Sequence, residues 1–331
     1  MALSLRHSLR RRFGSVLVDN LFRGLARLGE LHPRAKLERH KVERLRNIPY
    51  RDGGRPEYLL DVYRPSDLAP GEKRPAVLYI HGGGFRILSK DTHWALALSF
   101  ARRGYVVFNI SYRLAPVHPY PAAVEDACLA YEWVVHNAAR YGGDIDRLIV
   151  AGESAGANLT TVVTMAACFE RPETYARRVF ATGVVPKAAL PACGLYQVSD
   201  PGRFARRKPK LPTFLRDRIH EVHDSYLTDC GKLTQQELEL ADPLLVLEGP
   251  TRPARPLPPF FTTCGTADPI LDDTRRLEKA LQGRGVPVET HYYPNEVHAF
   301  HALLFREASR DHWRKTYAFL DRLGTSATSA R

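Results

Sequence analysis

The 331-residue sequence predicts an α/β protein: a mostly parallel central sheet with helices on both faces and a smaller helical piece inserted into it. Three observations carry this. Short apolar runs rich in β-branched and aromatic residues alternate with amphipathic stretches of helical length, the pattern of a parallel sheet covered on both sides. Two glycine clusters, "HGGG" (81–84) and "GESAG" (152–156), stand at the ends of two of those runs. No Ser/Gly-rich linker divides the chain, so one large domain with an accessory segment is expected.

Along the chain, "YLLDVYRP" follows a turn-rich stretch and alternates sufficiently for an early strand. "PAVLYI" (75–80) and "YVVFNIS" (105–111) are short and bounded by Pro, Gly or polar residues, and read as buried strands. Between them "DTHWALALSFARRG" reads as a helix, with Asp91 as N-cap and Gly104 as its C-terminal stop. Next come a long helix in "AAVEDACLAYEWVVHNAARYGG", a strand in "RLIVAG" and a helix in "AGANLTTVVTMAACF". The pattern loosens over 186–258, where "PGRFARRKPKLPTFLRDR" and "PTRPARPLPP" are basic or proline-laden; 198–235 reads as an insertion between sheet strands. Alternation resumes with strands at 260–265 and 288–293, a helix in "DDTRRLEKALQGRG" opened by Asp272 and Asp273 as caps, and a last helix from about Ala302.

Composition narrows the function classes. At 44% hydrophobic and 25% charged, the chain can bury a sizeable core. Five cysteines (Cys128, Cys168, Cys193, Cys230, Cys264) lack CxxC or repeated spacing. That argues against a disulfide framework or thiolate zinc site and for a reducing, cytoplasmic compartment. Thirteen histidines include no HExxH, so no metal site is expected. Net charge is +12, but residues 1–46 hold twelve Lys/Arg against four Asp/Glu, so +8 sits there and only +4 elsewhere. A nucleic-acid partner for the main domain is thereby disfavoured.

Leu9, Phe13, Val16, Leu17, Leu21, Leu25 and Leu28 recur at helical spacing, which predicts a basic amphipathic helix. Arg10-Arg11-Arg12-Phe13 is similar to a twin-arginine signal, but Asp19, Asn20 and Arg23 interrupt the apolar core that such a signal needs. No stretch reaches the ~20 apolar residues of a membrane span. Peripheral contact of residues 1–46 with an anionic membrane surface is one use of this helix; packing on the rest of the protein is the favoured one.

The glycine clusters carry the chemistry. "GESAG" matches G-x-S-x-G between a predicted strand and a predicted helix, the setting that gives the motif meaning. Ser154 then sits on a strained turn, and Gly152 and Gly156 let neighbouring backbone pass close by. "HGGG" follows its own strand; consecutive glycines can aim amides at an oxyanion with no side chains in the way. Gly82 and Gly83, with the amide of Ala155, are assigned as donors, and His81 as a brace for the loop. No GK[ST] follows, so a phosphate-binding Walker loop is excluded. A serine hydroxyl needs a base and the base an orienting carboxylate. Asp268 follows strand 260–265 and His298 follows strand 288–293, in the chain order Ser, Asp, His. His301, one turn on, reads as scaffold.

These stretches, from "HGGGF" through "YRLAPVHPYPAAVEDA" and "GESAGANL" to "GTADPILDD" and "HAF", resemble the hormone-sensitive-lipase-like family of α/β-hydrolases over roughly residues 57–322. The resemblance implies an α/β-hydrolase fold and a cofactor-free serine carboxylesterase acting on small-molecule esters with short to medium acyl chains. It places Ser154 as nucleophile, Asp268 as orienter, His298 as base, and Gly82, Gly83 and Ala155 at the oxyanion hole. It implies a helical cap built from residues 1–50 and 198–235 around a catalytic domain of 51–197 and 236–325, with 326–331 as a tail. Arg113 and Asp126 brace the scaffold by their family positions. Ser111 and His118 depart from the Asp and Glu common there. Phe85, Phe204, Leu211 and Phe214 are the candidates for lining the acyl and alcohol pockets. Three readings compete: an amidase or arylformamidase using the same residues, a non-catalytic small-molecule receptor, which the presence of His298 disfavours, and a membrane lipase docked through residues 1–46. Oligomeric state is not readable from the sequence.

Overall fold

The structure, a computed structural model, describes residues 19–325 except 21, 22, 25 and 229, with Cys230 by its backbone alone. Eight strands among the described residues form one sheet in the order β1-β2-β4-β3-β5-β6-β7-β8. They are β1 Val42–Pro49, β2 Leu59–Pro65, β3 Arg74–Ile80, β4 Val106–Ile110, β5 Gly143–Glu153, β6 Ala188–Ala192, β7 Phe260–Gly265 and β8 Val288–Tyr293. β1, β2 and β4 pair antiparallel; every pairing from β4 through β8 is parallel.

Alternation along the central strands sorts the core into two layers. Leu78 and Ile80 of β3 and Leu148 and Val150 of β5 meet the helices Ala122–Asn137 and Ala155–Cys168. Val77, Tyr79, Ile149 and Ala151 meet the helices Trp94–Ala101 and Glu307–Arg322 on the other face. A one-residue slip would exchange the two sets, so the register is strongly specified. The helix Ala155–Cys168 is buried along its whole length. Two of its three threonines, Thr161 and Thr164, donate to the carbonyls of Ala157 and Thr160, satisfying hydroxyls that would otherwise be costly inside.

Several expectations are corrected. Residues 42–49 are an edge strand of the sheet, so the helical segment expected through residue 50 ends before β1. β6 was not expected: "AALPA" has no β-branched residue, and Pro191 removes an amide from a central strand. The helix after β3 starts at Trp94, and Asp91 pairs with Lys90 and Arg46 instead of capping it. The final helix starts at Glu307, after a short 3-10 turn at Phe300–Ala302. Asp273 is no cap: it is buried in the first turn of the helix Leu271–Gly283 and accepts from the amides of Tyr196 and Gln197 and from Arg203.

Of the amphipathic N-terminal pattern, Leu9, Phe13, Val16, Leu17, Leu21 and Leu25 lie outside the described residues. Leu28 is 66% exposed, whereas Ala26 meets the core through Trp94, whose indole N–H donates to the Ala26 carbonyl at 3.1 Å. No helix among the described residues is long and apolar enough to cross a membrane. The stretch expected as an insertion holds the helices Gly202–Arg207 and Thr213–Tyr226.

Candidate active site

Ser154 lies between the end of β5 and the first turn of the helix Ala155–Cys168, with φ 57° and ψ −116°. A side-chain-bearing residue held there is strained, and the surroundings enforce it. The Ser154 amide donates to the Ala192 carbonyl at 3.0 Å. A Cβ on Gly156 would lie 2.0 Å from the Ile80 carbonyl oxygen, and one on Gly152 2.5 Å from the same atom. Both glycines are therefore required by close approach, as the motif predicts.

The hydroxyl, the imidazole and the carboxylate meet. His298 Nδ1 lies 2.7 Å from Asp268 Oδ2, and His298 Nε2 lies 2.9 Å from Ser154 Oγ. An ionised carboxylate only accepts, so Nδ1 carries the proton and Nε2 is free to accept from the serine hydroxyl. Asp268 is fully buried and follows β7; its Oδ1 accepts from the Ile270 amide at 2.9 Å and its Oδ2 from the Cys264 thiol at 3.3 Å. Burial alone would raise the Asp268 pKa, but His298 and these donors hold it below the ordinary value. For His298 burial opposes charging, yet Asp268 outweighs it, with help from Glu153, and the imidazole stays above its ordinary value. Ser154 is half-buried and the His298 side chain is 34% exposed, so the pair opens toward solvent.

The glycine loop requires a correction. The Gly82 amide does not face the reacting centre: it donates to Glu153 Oε1 at 2.5 Å. Gly83 and Gly84 follow with φ 108° and 59°, and no acceptor among the described residues meets their amides or that of Ala155. His81 braces the loop as expected. It is buried, its Nδ1 lies 2.7 Å from the Gly82 carbonyl, and its ring stacks on Tyr112, whose hydroxyl donates to the His81 carbonyl. Burial lowers its pKa to about 3, which unfits it for a base near neutrality. His301 is likewise buried, its pKa lowered to about 4.

The four expected pocket residues stand in different surroundings. Phe85 stacks on Tyr226 at 3.9 Å and Phe204 lies under the Arg203 guanidinium, both without free surface, and Leu211 packs against the same core. Phe214 is 59% exposed beside Arg218. The insertion nonetheless touches the site. Glu221 pairs with Arg86, Lys208 Nζ donates to the Asp268 carbonyl at 3.1 Å, and a Cβ on Gly84 would lie 2.7 Å from Val222. Arg113 grips Asp126 through two bonds of 2.8 and 2.9 Å, so Asp126 is an anchor and not a surface group. Ser111 accepts from the Lys90 amide, and His118 meets Arg55 at the surface. A cleft of about 530 Å³ between the helices Pro243–Glu248 and Leu271–Gly283 contains none of the site residues. Among the described residues Cys193, Asp268 and His298 present metal-ligating atoms within 4.8 Å of one another, but Asp268 and His298 are already bonded to each other.

Comparisons with known proteins bear on the fold and the family. A family model described as an alpha/beta hydrolase fold matches residues 77–302. Carboxylesterase NlhH of Mycobacterium tuberculosis is 31% identical over 277 residues, 82% of this chain and 77% of that protein. Esterase LipI of the same organism is 30% identical over 246 residues, 72% of this chain and 69% of that protein. Among solved structures, Esterase B from Lactobacillus rhamnosis (HN001) superposes with a TM-score of 0.78 at 19% identity, covering 98% of this chain and 96% of that one, a likeness of fold. The Pyrobaculum calidifontis esterase gives 0.71 at 26% identity over 94% of both chains.

Proposed function

The chain belongs to the alpha/beta hydrolase family, and on that premise we propose that it is a serine carboxylesterase that cleaves small carboxylic esters through Ser154, His298 and Asp268. The observation that carries this reading is the continuous chain of hydrogen bonds from Asp268 through His298 to Ser154, at 2.7 and 2.9 Å.

In this mechanism His298 Nε2 takes the hydroxyl proton as Ser154 Oγ bonds to the ester carbonyl carbon. Asp268 keeps the imidazole in the tautomer that can accept and stabilises the imidazolium that forms. The oxyanion is met by the amides of Gly83, Gly84 and Ala155, three donors without acceptors among the described residues; Gly82 is excluded because its N–H is spent on Glu153. As the C–O bond to the leaving alcohol breaks, His298 returns the proton to that oxygen. Water then attacks the acyl-enzyme while giving a proton to His298, and Ser154 leaves with the proton restored. The insertion reaches the surroundings of this site through Glu221, Val222 and Lys208, and short to medium acyl chains are the substrates that the family resemblance supports.

Ser154→Ala should lower kcat for p-nitrophenyl butyrate by a factor on the order of 10⁶, the scale seen when such a nucleophile is removed. Turnover near that of the wild type would overturn the proposal.

A further inference from the structure

Next to Ser154 lies a set of buried polar groups that the reaction as written does not use. Glu153 is 3% exposed. Its Oε1 accepts from the Gly82 amide at 2.5 Å and from His93 Nε2 at 2.8 Å, and its Oε2 accepts from the Tyr79 hydroxyl. The other His93 nitrogen, Nδ1, lies 2.9 Å from the Thr92 hydroxyl and 3.1 Å from the Ser89 carbonyl, so the ring is held at both of its nitrogens. The segment that carries His93 is itself held by the N-terminal stretch. The Trp94 indole donates to the Ala26 carbonyl, and the Leu88 amide donates to Asp19 Oδ1 at 3.0 Å.

We propose that Glu153 is a positioning residue: its carboxylate, paired with His93, fixes the Gly82 end of the glycine loop so that the following amides are aimed at the oxyanion, and Asp19 and the Ala26 carbonyl steady that pair through segment 88–94. This rests on the reading of Ser154 as the nucleophile.

Two physical arguments support it. A buried ion pair is an expensive way to hold a loop, since desolvation cancels much of its attraction; replacing it with apolar packing would serve stability as well or better. Stability alone therefore gives little reason for a charge here. Clearance is also tight: a Cβ on Gly82 would lie 2.8 Å from the Glu153 carbonyl and 3.2 Å from Ser154 Cβ, so the loop is held to within less than a methyl group of the nucleophile. Oxyanion donors act over about 2.7–3.1 Å, and a misplacement of about 1 Å can cost on the order of 10²-fold in rate.

The titratable groups facing Glu153 are Tyr79 from β3, His81 and Tyr112 beside the loop, His93, Cys193 after β6, and His298 and His301 after β8. Burial keeps His81 and His301 neutral near pH 7, and burial also holds the tyrosines and the thiol protonated. Burial opposes charge on His93 too, but Glu153, 2.8 Å from its Nε2, outweighs it and holds the imidazole above its ordinary pKa. The carboxylate also adds to the field that favours charge on His298.

The test is Glu153→Gln, which keeps an acceptor for the Gly82 amide but removes the charge. kcat and KM for p-nitrophenyl butyrate are measured from pH 5 to 9 and normalised to Ser154 titrated with a fluorophosphonate. We expect kcat per titrated serine to fall about 10- to 100-fold with KM changed less than about threefold. The acid limb of kcat/KM should move to lower pH, because His298 loses a neighbouring negative charge. His93→Gln should reproduce the fall in kcat. Unchanged kcat per titrated serine in Glu153→Gln, or a loss that disappears on normalisation, would overturn this inference alone. Wild-type protein that escapes labelling at Ser154 would overturn it together with the nucleophile reading.

Discussion

Asp268→Asn tests the role of the orienting carboxylate with the least change in shape, and the geometry dictates which way the new amide must turn. Asp268 Oδ1 accepts from the Ile270 amide at 2.9 Å, and Oδ2 faces His298 Nδ1 at 2.7 Å. An asparagine must keep its oxygen on the Ile270 N–H, since burying that donor without an acceptor would cost about 1–3 kcal/mol. Its NH₂ then falls where Oδ2 stood and donates to Nδ1. The imidazole proton is displaced to Nε2, which now points an N–H at Ser154 Oγ and cannot act as a base. The Cys264 thiol, which donates to Oδ2 at 3.3 Å, becomes an acceptor for the same NH₂ and reinforces the wrong orientation. A wrong tautomer in a site of this kind lowers kcat by about 10⁴, or ~5 kcal/mol of transition-state stabilisation at 1.36 kcal/mol per tenfold. The assay is kcat for p-nitrophenyl butyrate per titrated serine at pH 7.5, with thermal melting to confirm that the variant is folded. A fall of less than about tenfold in folded protein would refute the reasoning.

Two further outcomes follow from the same coordinates. His298 must be neutral to accept a proton, and its pKa lies above the ordinary 6.5, so activity should be lost as the pH falls through a value above 6.5; a kcat/KM acid limb centred below pH 6 would contradict it. Gly156→Ala drives a methyl to 2.0 Å from the Ile80 carbonyl oxygen and 2.6 Å from that of His81. Overpacking of about 1–3 kcal/mol should lower Tm by roughly 1.5–4 °C in a chain of this size, and an unchanged melting curve would show that the elbow is looser than described.

Much of the site was legible in the amino-acid order. "GESAG", Asp268 and His298 each follow a predicted strand, and at the carboxyl edge of a parallel sheet such positions converge. Other parts were not legible, for identifiable reasons. β6 is built from alanines, a leucine and a proline, so neither periodicity nor β-propensity marks it; it is a strand because β5 pairs with it on one side and the Pro259 carbonyl accepts from its Ala189 amide on the other. Asp91 and Asp273 look like helix caps locally, but Lys90 with Arg46 takes the first and Arg203 with two amides takes the second. The packing partners of Phe85 and Phe204, Tyr226 and the Arg203 guanidinium, were not legible either, because apolar character does not say what a side chain packs against. Glu153 and His93 were missed because nothing in one sequence relates residues sixty positions apart.

The sequence by itself determined the alternation of strand and helix, the two glycine-bearing turns and the order of nucleophile, carboxylate and base, because these follow from local sterics and hydrophobic periodicity. Only the tertiary structure decided which amides remain free for the oxyanion. Three consecutive glycines are chemically identical along the chain, and the Gly82 N–H is distinguished from its neighbours only by a carboxylate 71 positions away that folding brings to 2.5 Å. The direction of a hydrogen bond is set by where its partner stands, and that position is a property of the packed sheet, not of the segment.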